Sequence, residues 1–172
     1  GIAMNFANAG VPVTMLEIND QALQRGLAIV DKNYTATVKK GKLSEAKKQR
    51  CMDLITGTTN YQDLANVDLV IEAVFENLDI KKQVFGKLDE VCKPGAILAT
   101  NTSYQDVNAI AAATQRPEDV IGLHFFSPAN IMKLLEIVRA DKTSDEVIAT
   151  SMVVAKAIGK VPVLSGVCFG FI

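Results

Sequence analysis

His124 is the single histidine of the chain and stands in the stretch Gly122-Leu123-His124-Phe125-Phe126-Ser127-Pro128. A histidine on an apolar strand is often a satisfied core residue. Two aromatics and a Ser-Pro turn directly after it place this one at a strand end, facing a crevice. Glu136 lies inside the apolar run Leu134-Leu135-Glu136-Ile137-Val138, where an unpaired carboxylate is costly. A histidine on the neighbouring strand satisfies it. Such a pair suits proton abstraction: a neutral imidazole works near its own pKa, while the carboxylate behind it fixes the tautomer and stabilises the imidazolium that forms. With a cofactor to take a hydride, the pair could oxidise a secondary alcohol.

Other polar residues follow apolar runs directly. Glu17, near the end of a β-branched stretch, stands where a dinucleotide fold places an acid to accept hydrogen bonds from ribose hydroxyls. Taken alone it reads rather as an exposed strand-end acid, because the preceding glycine fingerprint is absent. Glu76 and Lys81 flank a helix start, and Glu76-Asn77-Leu78-Asp79 also reads as plain capping. Asn101-Thr102-Ser103 could face a nicotinamide or a carbonyl, or be a turn that opens a helix.

The elements that must hold these residues alternate. Ile2, Ala3, Phe6 and Ala7 recur at helical spacing up to Gly10. A strand is expected over Val11 to Ile18, then a helix capped by Asn19 or Asp20 and running to about Lys40. Gly41 breaks it, Ser44 caps a short polar helix to Leu54, and Ile55 to Thr59 forms a small strand. Asp68 to Val74 has the continuous apolar character of a strand buried on both faces of a parallel sheet. A helix over Asp79 to Cys92 ends at Pro94-Gly95. Further strands are expected at Ala96 to Thr100, Val120 to Phe125, Leu134 to Val138 and Val161 to Leu164, with helices at Val107 to Ala113 and Glu146 to Ile158. Sustained alternation of this kind implies an α/β fold, a doubly wound, mostly parallel sheet of Rossmann type. Ligands then lie at the carboxyl ends of the strands.

Composition narrows the function classes. With 172 residues, 49% hydrophobic and 22% charged, the chain closes one ordinary core. Its 18 Lys plus Arg balance 19 Asp plus Glu, which leaves no electrostatic footprint for nucleic acid. No apolar run approaches the roughly 20 residues needed to span a bilayer, and the start lacks the basic character of a secretory signal, so a cytoplasmic protein is expected. Cys51, Cys92 and Cys168 are widely spaced, suggesting neither a disulfide framework nor a metal site.

Taken together, these residues resemble the NAD-binding segment of 3-hydroxyacyl-CoA dehydrogenases, including those within multifunctional fatty-acid β-oxidation proteins. The likeness runs through Gly1-Ile2-Ala3, Glu17-Ile18-Asn19-Asp20, Glu72-Ala73-Val74-Phe75-Glu76-Asn77, Asn101-Thr102-Ser103, Gly122 to Pro128, and Glu136. It implies NAD as cofactor and a 3-hydroxyacyl-CoA as substrate. His124 would be the base, Glu136 its partner, and Ser103 a catalytic contact to substrate and cofactor. Gly1, Glu17, Val74, Phe75, Glu76, Lys81, Asn101 and Ser127 would line the cofactor site, and Asn33 and Lys40 would touch coenzyme A.

This sequence departs from the family pattern in three places. Ser127 stands where many relatives have Asn, and Tyr104 where a small residue is commoner. The first strand, most of the glycine-rich turn and a helical C-terminal domain are not in the chain, which therefore reads as a single NAD-binding domain, residues 1–172, cut at both ends. Little turnover is expected of it alone. Dimerisation or assembly into a multifunctional complex would pass through the C-terminal domain. Two other readings fit the fold: a non-catalytic relative, as among the lens crystallins, or a 3-hydroxyacid dehydrogenase that uses a lysine.

Overall fold

The computed structural model describes residues 1–171. Its contacts separate two units: Gly1–Asp63 with Ser127–Ile131, and Leu64–Phe126 with the described residues from Met132 onward.

In the first unit, helix α1 (Ile2–Asn8) leads to strand β1 (Val13–Leu16), helix α2 (Asp20–Lys39), helix α3 (Glu45–Asp53) and strand β2 (Ile55–Thr58). The predicted caps are in place: Asn19 accepts from the Ala22 amide at 2.8 Å and Ser44 from the Lys47 amide at 3.2 Å. Strand β1 is shorter than the predicted stretch because β2, its parallel partner, offers only Ile55 to Thr58 to pair with. Met4 and Ala7 of α1 pack on Val30 and Tyr34 of α2, Cys51 of α3 and Ile55 of β2. Of the stripe that predicted α1, Ala7 is buried in this cluster and Ala3 packs against it. The segment 127–131 is tied to α1 by Asn5, whose side-chain amide donates to the Ala129 carbonyl at 3.0 Å.

In the second unit, strand β3 (Leu69–Glu72), helix α4 (Leu78–Val91), strand β4 (Ile97–Thr100), helix α5 (Val107–Ala111), strands β5 (Val120–Phe125) and β6 (Leu134–Arg139), helix α6 (Asp145–Ala157) and strand β7 (Val161–Gly166) follow in turn. They form one sheet in the order β3-β4-β5-β6-β7. Neighbours run parallel except β5 and β6. No helix separates Phe125 from Leu134, so the chain doubles back and the two pair antiparallel. The sheet is thus mostly parallel, as the alternation implied.

One expectation is corrected. The apolar run 68–74 predicts a strand buried on both faces, but β3 covers only Leu69–Glu72 and its first three residues are half-buried. It stands at one end of the strand order, and the Val74 amide bonds to the Glu72 side chain instead of a neighbouring strand. The fully buried strand is β4. Around it, Phe85 and Leu88 of α4, Ile110 of α5 and Ile121 of β5 close the core. Gly95, at φ +77° after α4, makes the left-handed turn into β4.

Among the described residues no helix is long and apolar enough to cross a membrane, and no group of three His, Cys, Asp or Glu could hold a metal ion. Cys51, Cys92 and Cys168 are free thiols.

Candidate active site

Register decides how the second unit's polar residues meet. In the parallel ladder Glu72 pairs with Thr100 and Thr100 with Gly122, so β3 and β4 end level while β5 runs on past them to Phe125. In the antiparallel ladder His124 lies directly opposite Glu136. Residues directly opposite in such a pair project to the same face. Their side chains meet, His124 Nδ1 lying 2.5 Å from Glu136 Oε2. Glu136 is buried, its side chain 2% exposed, while the His124 side chain keeps 16% of its surface. The carboxylate is thus shielded behind the ring, and the ring reaches the surface. An ionised carboxylate only accepts, so Nδ1 donates to it and Nε2 carries the free lone pair. The imidazole is flanked by Phe126, ring centroids 4.7 Å apart, and by the edge-on Phe171 at 6.0 Å.

Asn101 fixes this strand end. Its Oδ1 accepts from the Phe125 amide at 2.8 Å, and its own amide donates to the Glu72 carbonyl at 2.8 Å. Its carbonyl oxygen is therefore committed to holding β5. Ser103 is half-buried just beyond. Thr102, between them, is buried; its hydroxyl donates to the Glu76 carboxylate and accepts from the Gln105 amide at 2.9 Å. Helix capping falls to Asn77, which accepts from the Ile80 amide at 3.0 Å, and not to Glu76.

Lys81, expected beside a ligand, is 1% exposed. Its ammonium lies 2.8 and 3.1 Å from the two oxygens of Glu72, itself buried, and 3.9 Å from Glu76. Val74 and Phe75, in contrast, are open, Phe75 to 81%. Sequence reasoning missed Glu72 as a site residue. The signal was present: it closes an apolar strand just as Glu136 interrupts one, and a buried carboxylate demands a partner. Lys81 also falls on the stripe of buried residues Lys81, Phe85 and Leu88 along α4.

The first unit carries the remaining candidates. Glu17, directly after β1, is half-buried, its amide donating to the Thr58 carbonyl at 3.1 Å. Among the described residues its carboxylate has no protein partner. Gly1 caps α1 without a side chain, and a Cβ there would stand 3.1 Å from the Ala129 Cβ. Asn33 and Lys40 lie seven residues apart, two turns along α2 and its C-cap, and so share one side of the helix. Asn33 is half-buried and Lys40 exposed. Ser127 is exposed and precedes Pro128 through a cis peptide.

Residues 1–168 match the family model described as "3-hydroxyacyl-CoA dehydrogenase, NAD binding domain". The chain belongs to that family. It is 45% identical over 171 residues to a peroxisomal fatty acid β-oxidation multifunctional protein of rice, covering 99% of this chain and 24% of that protein. It is also 45% identical over 163 residues to a 3-hydroxybutyryl-CoA dehydrogenase of Clostridioides difficile, covering 95% of this chain and 58% of that one. Among solved structures, 3-hydroxybutyryl-CoA dehydrogenase from Escherichia coli matches with a TM-score of 0.97 at 39% identity, over 99% of this chain and 36% of that one. This chain therefore spans between about a quarter and three fifths of these relatives.

The family's cofactor is NAD, and the residues present fit it. In the first unit, a half-buried carboxylate without a protein partner after β1 can accept from ribose hydroxyls, and the exposed Ile18 beside it offers apolar contact.

Proposed function

We propose that this chain is the NAD-binding domain of a dehydrogenase that oxidises the 3-hydroxyl of a 3-hydroxyacyl-CoA to a ketone in fatty-acid β-oxidation. The single observation that carries the reading is the 2.5 Å contact of His124 Nδ1 with buried Glu136, which turns Nε2 outward as the proton acceptor. His124 takes the hydroxyl proton at Nε2, and Glu136 stabilises the imidazolium without itself being protonated. Bound NAD supplies the hydride acceptor. One hydroxyl proton and one hydride thus leave the substrate, and a C=O bond replaces the C–O single bond.

The other residues bind and orient. Ser103, beyond the end of β4, is a hydroxyl donor for substrate and cofactor, held in place by its neighbours Asn101 and Thr102. Glu17 accepts from the adenine ribose, and its charge disfavours a 2′-phosphate, hence NAD over NADP. Gly1, Val74, Phe75, Glu76, Asn101 and Ser127 approach the cofactor with backbone or side chain; Lys81 acts from inside, through its ion pairs. Lys40, an exposed cation, and Asn33 take the coenzyme A portion. Three free thiols support a reducing compartment such as the cytoplasm.

The test is NADH formation from 3-hydroxybutyryl-CoA by the natural protein that carries this chain. His124→Ala should lower kcat by about 100-fold or more while NAD binding persists. Unchanged turnover in that variant would remove the histidine from the mechanism, and NAD binding without turnover in the wild type would favour a non-catalytic relative. Turnover of free 3-hydroxyacids in preference to thioesters would point to the lysine-dependent dehydrogenases instead.

A further inference from the structure

The chemistry above leaves one buried titratable group unused. Glu72 ends β3 with its side chain 1% exposed, opposite Lys81, also 1% exposed. All of its acceptor capacity is engaged: Oε1 takes the Val74 amide at 2.6 Å and the Lys81 ammonium at 2.8 Å, while Oε2 takes the Thr100 hydroxyl at 2.8 Å and the same ammonium at 3.1 Å. One carboxylate therefore joins the end of β3, the turn after it, the first helical turn of α4 and the end of β4. For stability alone the arrangement is a poor choice, because apolar residues of similar volume replace buried ion pairs at little or no cost. Its effect is geometric. The turn 73–77 has no strand neighbour at Val74, and the bond to Glu72 holds that amide while Val74 and Phe75 stay exposed. The Lys81 ammonium is pinned below Glu76, which Thr102 secures from the β4 side.

Resting on the reading of this chain as an NAD-binding dehydrogenase domain, we propose that Glu72 is a positioning residue for NAD. It holds the 74–76 turn in place for the cofactor, directly at Val74 and through Lys81 at Glu76, without touching the cofactor.

The test uses the natural protein carrying this chain, and Glu72→Gln, which keeps the shape and removes the charge. NAD affinity, read by quenching of NADH fluorescence and as KM for NAD, should weaken about tenfold, the scale of one lost charge-assisted bond. At saturating NAD, kcat and the KM for 3-hydroxybutyryl-CoA should stay within about twofold. Amide exchange at Val74 should accelerate. Arg116→Ala is the control for mere loss of stability: it removes bonds to Asp89 and to the Cys92 and Lys93 carbonyls at the far end of α4, and should lower Tm with NAD affinity unchanged. If Glu72→Gln does not fold, Thr100→Val removes one bond to the same carboxylate, together with the long 3.3 Å contact from the Thr102 amide, and should weaken NAD about threefold. Unchanged NAD affinity in whichever variant folds overturns the proposal, as does an equal loss in the Arg116→Ala control. Failure of the wild type to bind NAD would overturn the functional reading itself, and this proposal with it.

Discussion

The ring of His124 has one nitrogen committed and one free, and the committed one faces a carboxylate with almost no solvent access. Burial makes the Glu136 charge effective on the imidazole, because neither water nor salt screens it. Glu136→Gln keeps the volume and a hydrogen-bonding group but removes the charge that stabilises the imidazolium. Steady-state NADH formation should show kcat reduced about 100-fold with KM for NAD little altered, since this charge matters most when the ring is protonated. An equal loss in KM with kcat intact would assign Glu136 to binding instead. This pair was legible in the sequence because an acid amid Leu, Ile and Val is an anomaly that only a partner resolves. Glu72 and Lys81 were harder to see. Their separation crosses from strand to helix, so neither helical nor strand spacing links them, and Lys81 reads as an ordinary helix-start cation until its place on the buried stripe of α4 is counted.

At the scale of elements, the contact of His124 with Glu136 depends on β5 and β6 keeping their register, and Gly122 governs how closely they approach. A Cβ at Gly122 would lie 2.7 Å from the Cβ of Val138, its directly opposite residue. No flexible side-chain end is available to yield there, so the strands must part. Gly122→Ala should cost about 1–3 kcal/mol in urea unfolding, as overpacked cores do. Because the same ladder sets His124 against Glu136 two residues on, kcat should fall as well, which a cost confined to stability would not produce. Their apolar runs made these strands predictable. The direction of β6 was not argued from the sequence, although the absence of a helix between Phe125 and Leu134 carries that information physically: a short link suits an antiparallel return, while a parallel one needs a crossover of a dozen residues or more. The extent of β3 was misread for a related reason. Apolar content reports burial but not where pairing stops, and here a side chain ends it.

Near neutral pH the charges of the whole molecule nearly cancel, so net repulsion is small there and the groups shifted by burial set the direction of the pH response. Burial, reinforced by neighbouring Cys51, pushes the Tyr34 phenol well above its ordinary value, and burial also raises Tyr61 and Cys92. Lys160 moves the other way, lowered by burial and by Lys133. A group raised in the folded state stabilises fully below its unfolded pKa, and that contribution is lost as pH rises toward the folded value. Tyr34, Tyr61 and Cys92 therefore all destabilise the fold in alkali. Lys160 has the opposite sign: its folded form holds the proton less tightly, so its contribution grows as pH rises toward the ordinary lysine value. Three groups against one give a net loss of stability from the ordinary cysteine range upward. Tyr34 dominates, being 2% exposed with its hydroxyl donating to Asn8 Oδ1 at 2.9 Å. Tyr34→Phe should lose about 1 kcal/mol at neutral pH with that bond, yet fall less steeply than the wild type above about pH 10. Urea midpoints measured across pH should thus converge in alkali; parallel curves would show that the Tyr34 phenol titrates alike in the folded and unfolded chains.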